Sequence, residues 1–329
     1  MTVDRSQVLV TGAGGFIGSH LVEELVDSGA HVRAFVRYTS SGGAGNLRFL
    51  PPETRSKIQV IAGDLRDPLA VAEAMQGCDV VVHLAALIAI PYSYVHPREV
   101  IETNVLGSFN VFEAARQHRP RRVVHLSTSE VYGTAKTVPI SESHPHQGQS
   151  PYSASKIGAD RLAESYWRAF AVPITTVRPF NTYGPRQSAR AIIPTIIAQV
   201  LTADRLTIGS LNPTRDFTFV RDTARGLRLA AEAPDVEGLE INLGSGREIS
   251  IGDLVGLIQE LTGSKLPVET DEQRIRPGRS EVERLLADAT LARERLGWEP
   301  VTSLREGLTL TIEWIKEHLE LFDPGKYQI

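Results

Sequence analysis

A tyrosine and a lysine four positions apart, Tyr152 and Lys156, are the residues in this sequence whose spacing points most directly to chemistry. On a helix, this spacing puts both side chains on one face. A free tyrosine has a pKa of about 10 and is a poor base at neutral pH. An ammonium about 4 Å away, at an effective dielectric near 20, is worth roughly 4 kcal/mol, or about three pKa units. The pair therefore predicts a tyrosine that accepts a proton in the working pH range.

A glycine-rich segment, Gly12-Ala13-Gly14-Gly15-Phe16-Ile17-Gly18, lies between the first predicted strand and the first predicted helix. Gly12 permits a tight turn, Gly15 lets a pyrophosphate approach the backbone, and Gly18 lets the helix pack closely on the strand. The helix start, at Phe16 and Ile17, offers free N–H groups and partial positive charge to phosphates. In this position the segment predicts a dinucleotide site.

The end of the second predicted strand bears on which dinucleotide is bound. NAD-binding proteins usually carry an acid there, which binds the adenine ribose 2′-hydroxyl. This chain has Arg37 instead, with Ser40 and Ser41 nearby, and these side chains suit a 2′-phosphate. The alternative is that Arg37 stacks on adenine while NAD is bound. We therefore expect NADP or NAD, with a narrow preference for NADP, and expect Asp64-Leu65 after the third strand to contact the adenine amino group.

Short apolar runs alternate with helical periodicity in the first half of the chain. Strands are predicted at residues 7–11, 32–36, 58–62, 80–84, 122–127 and 174–178, and long helices at residues 16–27, 99–116 and 152–171. This alternation predicts an α/β fold, a Rossmann-type doubly wound parallel sheet covered by helices on both faces. After Pro179, prolines and glycines become frequent and the strands short. We expect a dinucleotide-binding domain at residues 1–180 and a smaller α/β substrate-binding lobe at residues 181–329, with a soft boundary and interleaved segments.

The composition is that of an ordinary globular protein. The net charge is −4 and the pI about 6.2, which favours neither nucleic acid nor an anionic membrane as a partner. The one cysteine, Cys78, allows no internal disulfide and fits a reducing compartment. The N-terminus lacks the apolar stretch of a signal peptide, and the longest apolar run, residues 80–90, is too short to span a bilayer. We expect a cytoplasmic, soluble protein with no metal site.

The order of several motifs along nearly the whole chain resembles the extended short-chain dehydrogenases, which are nucleotide-sugar epimerases, dehydratases and decarboxylases. The motifs are the glycine segment, Asp64-Leu65, His83-Leu84-Ala85-Ala86, Asn104, Ser127-Thr128-Ser129-Glu130, Tyr152 with Lys156, and the run from Arg178 to Arg186. The resemblance implies a catalytic triad of Thr128, Tyr152 and Lys156. It also implies that Ala85 and Lys156 contact the cofactor.

The same resemblance implies a nucleotide-sugar substrate and a homodimer. Its nucleotide diphosphate would lie near Asn181, Arg186, Arg215 and Arg276. In the family, the helices that correspond to residues 99–116 and 152–171 pair across a two-fold axis into a four-helix bundle.

A narrower resemblance concerns the segments around Tyr92, Tyr152 and Gln187. These look like the 4,6-dehydratases of bacterial legionaminic-acid pathways, which act on an N-acetylglucosamine nucleotide. In such enzymes Tyr152 would take the C4 hydroxyl proton as hydride leaves C4, and Glu130 would act as the base at C5.

The chain departs from many 4,6-dehydratases at Ser129, where those enzymes have aspartate. Serine is a very weak acid, so Glu130 would have to carry the proton from C5 to the C6 hydroxyl alone. A nucleotide-glucuronate decarboxylase is therefore the second interpretation and a 4-epimerase the third. A non-enzymatic, cofactor-binding sensor is the remaining alternative, which the intact catalytic triad argues against.

Overall fold

The computed structural model describes residues 2–271, 274, 278 and 280–322. The strands are β1 (Gln7–Thr11), β2 (His31–Arg37), β3 (Ile58–Gly63), β4 (Val80–His83), β5 (Arg122–Leu126), β6 (Ile174–Pro179), β7 (Thr182–Tyr183), β8 (Leu206–Ile208), β9 (Thr214–Asp216), β10 (Thr218–Phe219), β11 (Glu240–Leu243), β12 (Glu248–Ser250) and β13 (Val268–Thr270). The helices are α1 (Phe16–Asp27), α2 (Pro52–Arg55), α3 (Pro68–Met75), α4 (Ile90–Val95), α5 (Pro97–Ile101), α6 (Gly107–His118), α7 (Pro151–Phe170), α8 (Ile192–Thr202), α9 (Val220–Glu232), α10 (Ile251–Thr262), α11 (Thr290–Leu296) and α12 (Leu304–Glu317).

The central sheet has seven parallel strands in the order β3-β2-β1-β4-β5-β6-β11. Alternate residues along each strand serve two separate cores. Val8 and Val10 pack in the core that contains α1 and α9 residues, whereas Leu9 packs in the core that contains α3, α6 and α7 residues. Burial on both faces explains why these strands are almost continuously apolar. The predicted Rossmann-type α/β fold is confirmed.

The strand order reverses around β1 and β4, which are neighbours in the sheet. In doubly wound sheets, ligands bind outside the carboxyl ends of the strands at such a reversal. Here these ends are Thr11 and His83, whose side chains are hydrogen-bonded at 2.7 Å. The glycine segment and the segment after His83 therefore border the same crevice.

A third core is built mainly from segments after β6. It is formed mainly by α8, α10, α12 and the short strands around them. Strand β11 nevertheless returns to the central sheet, where it pairs with β6, and α9 packs on α1. Segments after residue 180 thus contribute both to the central sheet and to the C-terminal core. The domain boundary near residue 180 stays a prediction.

The helical run before β5 differs from the predicted single helix at residues 99–116. It comprises α5, a π-helical stretch at Glu102–Leu106, and α6. None of the helices in the described part of the chain has the length and apolar character needed to cross a bilayer. Among the same residues, no three His, Cys, Asp or Glu side chains are grouped as metal ligands.

Candidate active site

Helix α7 places the tyrosine–lysine pair, and its first turn is fixed by a capping box. Ser150 Oγ accepts a hydrogen bond from the Ser153 amide at 3.0 Å, and the Ser150 amide donates to Ser153 Oγ at 2.9 Å. Pro151 occupies the first helical turn, where its missing N–H is not needed. Tyr152 therefore lies at a rigid helix start, and both Tyr152 and Lys156 are buried.

Burial raises the pKa of Tyr152 well above its usual value, and the nearby Glu130 carboxylate acts in the same direction. A hydrogen bond with the Thr128 side chain lowers the Tyr152 pKa in part. The net direction is opposite to the one that the Tyr152–Lys156 spacing predicts. The physical reason is burial, which disfavours the charged phenolate, while the Lys156 ammonium donates to the Leu126 carbonyl at 2.8 Å.

Lys156 connects the tyrosine to the crevice at the end of the sheet. Its hydrogen-bond acceptor, Leu126, is the last residue of β5 and lines that crevice. Burial lowers the pKa of Lys156 to about 8, while the Asp160 carboxylate one turn further along α7 acts in the opposite direction. With a pKa of about 8, the lysine populates both its charged and its neutral form around that pH.

The crevice is a groove of about 380 Å³ at the carboxyl ends of β1, β2, β3 and β4. It contains nine of the residues predicted to bind the cofactor: Gly12, Gly15, Phe16, Ile17, Gly18, Arg37, Asp64, Leu65 and Ala85. Lys156, the tenth, reaches its wall through Leu126. The structure therefore brings all of these predicted residues to one site.

The glycine segment has the geometry of a phosphate cradle. Gly12 has a φ of +72°, which favours glycine, and a Cβ on it would lie 2.8 Å from the Ala85 backbone. A Cβ on Gly18 would lie 2.2 Å from the Gly12 carbonyl oxygen. Helix α1, which starts at Phe16, can approach the strand this closely only because these side chains are absent. The groove therefore fits a dinucleotide, with the pyrophosphate at the N-terminus of α1.

A second cavity, of about 350 Å³, lies between the sheet and the C-terminal core. Its polar lining includes Glu130, Asn181, Arg190, Arg215 and Arg274. Asn181 and Arg215, which are predicted to bind the substrate, thus line this cavity. Arg190 and Arg274 are further cations in its wall that the prediction did not assign to the site. Arg190 belongs to the segment around Gln187, but the sequence does not indicate which way its side chain points.

Arg186 and Arg276 are the other two residues predicted to bind the diphosphate. Arg186 is not among the described residues that line this cavity, and its role at the diphosphate stays a prediction. Its guanidinium forms a two-point contact with the Glu23 carboxylate of α1, with Nη–Oε distances of 2.8 and 3.1 Å, and its side chain is 9% exposed. The backbone of Arg186 has a φ of +67°, a turn that directs the side chain toward α1. Arg276 lies outside the described residues.

In the segment after β5, the neighbouring residues Ser129 and Glu130 have different surroundings. Thr128 caps a short 3₁₀ turn at Ser129–Tyr132, because its hydroxyl accepts from the Glu130 amide at 3.2 Å. Glu130 lines the cavity, whereas Ser129 is buried at 3% exposure and is not among the described lining residues. Thr128 and Glu130 lie beside Tyr152.

A buried cluster of charged and polar side chains surrounds Asp160, one turn after Lys156 on α7, and the sequence analysis did not predict it. The Asp160 carboxylate accepts from Ser127 Oγ at 2.8 Å and from Arg178 Nη2 at 2.9 Å, and it lies 3.2 Å from His125 Nε2. All four side chains are fully or almost fully buried. The signal that points to Asp160 is its position on α7, one and two turns after Lys156 and Tyr152.

Comparison with known proteins agrees with this geometry. The family model for GDP-mannose 4,6-dehydratase matches residues 9–311. A UDP-glucose 4-epimerase of Mycolicibacterium smegmatis is 35% identical over 317 residues, which cover 94% of this chain and 98% of the relative. A dTDP-glucose 4,6-dehydratase of Streptomyces griseus is 32% identical over 325 residues, which cover 97% of each. The solved dTDP-glucose 4,6-dehydratase DesIV of Streptomyces venezuelae, with NAD bound, is 30% identical over 97% of this chain and 100% of that one, with a TM-score of 0.87.

The fold and the site define an enzyme that oxidises and reduces a substrate beside a nicotinamide dinucleotide. The chain belongs to the NAD-dependent epimerase/dehydratase family, the extended short-chain dehydrogenases that its motifs resemble. Its cofactor is NAD or NADP, and its groove residues fit that group. The family places it among nucleotide-sugar 4,6-dehydratases and 4-epimerases.

Proposed function

We propose that this enzyme is a nucleotide-sugar 4,6-dehydratase, a lyase of carbohydrate biosynthesis. The observation that carries the proposal is the position of Glu130, a carboxylate in the wall of the substrate cavity and beside Tyr152. A base in this position serves a reaction that removes a proton from the sugar after C4 is oxidised. A simple 4-epimerase returns the hydride to C4 and has no use for such a base.

The proposed reaction uses each residue in turn. A nicotinamide dinucleotide held in the groove would supply the hydride acceptor for C4 and the hydride donor for C6. Tyr152 accepts the C4 hydroxyl proton, with Thr128 hydrogen-bonded to the tyrosine oxygen. Glu130 removes the C5 proton that the 4-ketone acidifies, and delivers it to the C6 hydroxyl, which departs as water. When C6 is reduced, C5 takes up one proton from solvent and Tyr152 releases one to solvent, which gives a 4-keto-6-deoxy sugar nucleotide.

The serine at position 129 supports a mechanism in which one carboxylate serves both C5 and C6. An acid at that position would share the proton transfer, but a serine hydroxyl is too weak an acid to do so. For the sugar, the narrower resemblance favours an N-acetylglucosamine nucleotide. The diphosphate would lie near Asn181 and Arg215.

Two other activities remain as alternatives. A 4-epimerase is favoured by the Mycolicibacterium smegmatis relative, which is as similar to this chain as the dehydratases are. A nucleotide-glucuronate decarboxylase needs a cation for the sugar carboxylate, and Arg190 lies in the cavity wall. Incubation with UDP-N-acetylglucosamine, dTDP-glucose and UDP-glucuronate separates the three by product mass. Loss of water supports the proposal, whereas loss of carbon dioxide, or an unchanged mass with inversion at C4, contradicts it.

Glu130→Gln is expected to lower kcat for dehydration by about 10²- to 10⁴-fold, the usual contribution of a general base. Glutamine keeps the size and the hydrogen bonding of the side chain but cannot take the C5 proton. The variant should still oxidise C4, so reduced cofactor accumulates, while exchange of the C5 hydrogen with deuterated solvent disappears. Stopped-flow absorbance of the reduced nicotinamide and mass spectrometry of the sugar measure the two effects.

The matched control is Ser129→Ala, which removes a hydroxyl one residue away. Because a serine hydroxyl is too weak an acid to take or supply the C5 proton, we expect a loss below tenfold and normal C5 exchange. Equal losses in the two variants would contradict the assignment of the base to Glu130.

We also propose that the enzyme is a homodimer. Apolar side chains with exposures from 41% to 53% lie on the helical run before β5 and at the end of α7: Ile101, Leu106, Phe109 and Phe170. Such a surface fits the four-helix bundle that the family resemblance implies. Light scattering should give about twice the 36.0 kDa chain mass. Leu106→Glu together with Phe109→Glu should give the monomer, and a wild-type monomer at micromolar concentration would overturn the proposal.

A further inference from the structure

A hydrogen bond at the protein surface joins helix α4 to Ser280 in the C-terminal part of the chain. The Tyr94 hydroxyl lies 2.6 Å from Ser280 Oγ. Ser280 Oγ donates to the Gln149 carbonyl at 2.7 Å, and because a serine hydroxyl has one hydrogen, Tyr94 is the donor to Ser280. Gln149 directly precedes Ser150, the N-cap of α7. The hydrogen bonds from Tyr94 through Ser280 to Gln149, here called the clasp, therefore end at the start of the helix that carries Tyr152.

Both sides of the clasp continue into walls of the substrate cavity. Pro91, which precedes Tyr94 on α4, lines the cavity, and so does Glu281, the residue after Ser280. The hydrogen bond itself is exposed, and Tyr94 is 37% exposed. The clasp therefore joins two walls of the cavity at the surface of the protein.

Each wall is also anchored separately from the clasp. Before α4, the Leu87 amide donates to Asn104 Oδ1 at 2.7 Å, and the Leu87 carbonyl accepts from Asn104 Nδ2 at 2.9 Å. On the other side, the Glu281 carbonyl accepts from Thr134 Oγ1 at 3.3 Å, and Val282 is 1% exposed. The clasp can therefore open and separate the two walls while the fold on either side stays intact.

The C-terminal wall also contacts a residue that is predicted to bind the substrate, since Glu281 Oε1 lies 3.1 Å from Arg215 Nη2. A contact that closes a cavity over its ligand slows the escape of the ligand and commits it to reaction. We propose that the clasp retains the sugar nucleotide in the cavity, and keeps the C4-oxidised sugar there until hydride has been returned to it. The inference rests on the oxidation at C4 that the proposed function contains, a step that a 4-epimerase shares.

Escape of the sugar at this stage has a defined chemical outcome. The sugar leaves as a ketone, two electrons poorer than the substrate, while its hydride stays on the nicotinamide and its hydroxyl proton passes through Tyr152 to solvent. The enzyme then holds reduced cofactor and cannot begin another turnover. The share of turnovers that end in this way reports how often the cavity opens before hydride is returned.

Tyr94→Phe tests the proposal, because it keeps the ring and removes one hydrogen bond of the clasp. The loss of one such bond favours the open form by about two- to tenfold. In a Tyr152→Phe background, where no chemistry occurs, we expect UDP-N-acetylglucosamine or dTDP-glucose to dissociate faster by this factor, as measured by surface plasmon resonance. In the enzyme with Tyr152 intact, the share of turnovers that end in reduced cofactor, measured by nicotinamide absorbance, should rise by the same factor, while kcat does not fall.

Ser280→Ala removes both hydrogen bonds of the clasp and should have an effect at least as large. Ser280→Thr keeps the hydroxyl and should restore slow dissociation, which a role in packing alone does not predict. The control is Ser143→Ala, which removes another hydroxyl–hydroxyl hydrogen bond at the surface, to Ser141 at 2.9 Å. Neither serine of this control is among the described residues that line the groove or the cavity, so both measurements should change by less than twofold.

Unchanged dissociation and unchanged loss of ketone in Tyr94→Phe and Ser280→Ala would overturn the proposal, and so would equal changes in Ser143→Ala. A wild type that binds these sugar nucleotides without oxidising them would contradict the proposed function, whereas the dissociation rates would still support or overturn the clasp. A wild type that binds none of them would overturn both.

Discussion

Replacing Tyr152 with phenylalanine is expected to lower kcat by about 10³-fold or more, while the nicotinamide cofactor stays bound with little change in affinity. The ring of Tyr152 remains and keeps its packing at the start of α7, so only the hydroxyl that accepts the C4 proton is lost. That hydroxyl is hydrogen-bonded with Thr128 and lies beside Glu130. Loss of a general base of this kind typically accounts for factors of 10²–10⁴.

The measurement is single-turnover kinetics on enzyme that has been loaded with cofactor. In Tyr152→Phe, no reduced nicotinamide should appear after the sugar nucleotide is added, because C4 oxidation itself is blocked. This differs from Glu130→Gln, in which reduced nicotinamide accumulates. The two variants therefore distinguish the first step from the second.

Tyr183→Phe is the matched control for loss of a buried tyrosine hydroxyl. Tyr183 is 1% exposed, and its hydroxyl donates to the Leu304 carbonyl at 3.2 Å in the C-terminal core. Its removal should cost about 1 kcal/mol of stability, as one hydrogen bond does, and should leave kcat within about threefold. Near-normal turnover in Tyr152→Phe would refute the role of Tyr152 as the base.

The sequence was most informative where function depends on local backbone geometry. The glycine segment requires Gly12 at positive φ and Gly18 without a Cβ, and both requirements can be read from residue type at a fixed position between a strand and a helix. The Tyr152–Lys156 spacing likewise fixes a shared helix face. These features involve neighbours in the chain, so the pattern alone places them correctly.

The sequence was least informative where a side chain has a choice of partners. Arg186 belongs to the expected motif, yet a turn with positive φ directs it to Glu23 on α1. Arg37 meets Glu99 only because the fold brings α5 to the end of β2. The pKa of Lys156 depends on burial and on the Asp160 carboxylate, and neither effect can be obtained from the Tyr-x-x-x-Lys spacing. Long-range pairing of charges is set by tertiary packing, which residue spacing does not encode.

The buried cluster around Asp160 gives the prediction with the largest expected effect on stability. Asp160→Asn is expected to lower the free energy of unfolding by about 3–5 kcal/mol, because it removes the fully buried one of the two carboxylates that pair with the buried Arg178 guanidinium. Asparagine has nearly the same size and retains one carbonyl oxygen for Ser127. The loss therefore comes from the missing charge rather than from a cavity, and urea or thermal unfolding measures it.

The same substitution should also change the pH dependence of catalysis, in a direction that follows from the Lys156 pKa. Burial lowers that pKa to about 8, and the Asp160 carboxylate opposes the shift. Without Asp160, the folded protein holds the Lys156 proton less tightly, so its ammonium is lost at a lower pH. The alkaline limb of the kcat profile, which lies near pH 8 in the wild type if the charged lysine is the active form, should move to lower pH in Asp160→Asn.

Glu240→Gln separates this electrostatic role from a purely structural one. Glu240 also pairs with Arg178, at 2.6 Å, but it is 26% exposed and is not among the groups that shift the Lys156 pKa. Because solvent screens a pair at this exposure, its removal should cost about 1 kcal/mol or less and leave the alkaline limb in place. If Asp160→Asn lowers stability but does not move the pH profile, Asp160 acts only in packing the cluster. If it moves the profile while Glu240→Gln does not, the carboxylate beneath Lys156 sets the pH range in which the lysine keeps its charge beside Tyr152.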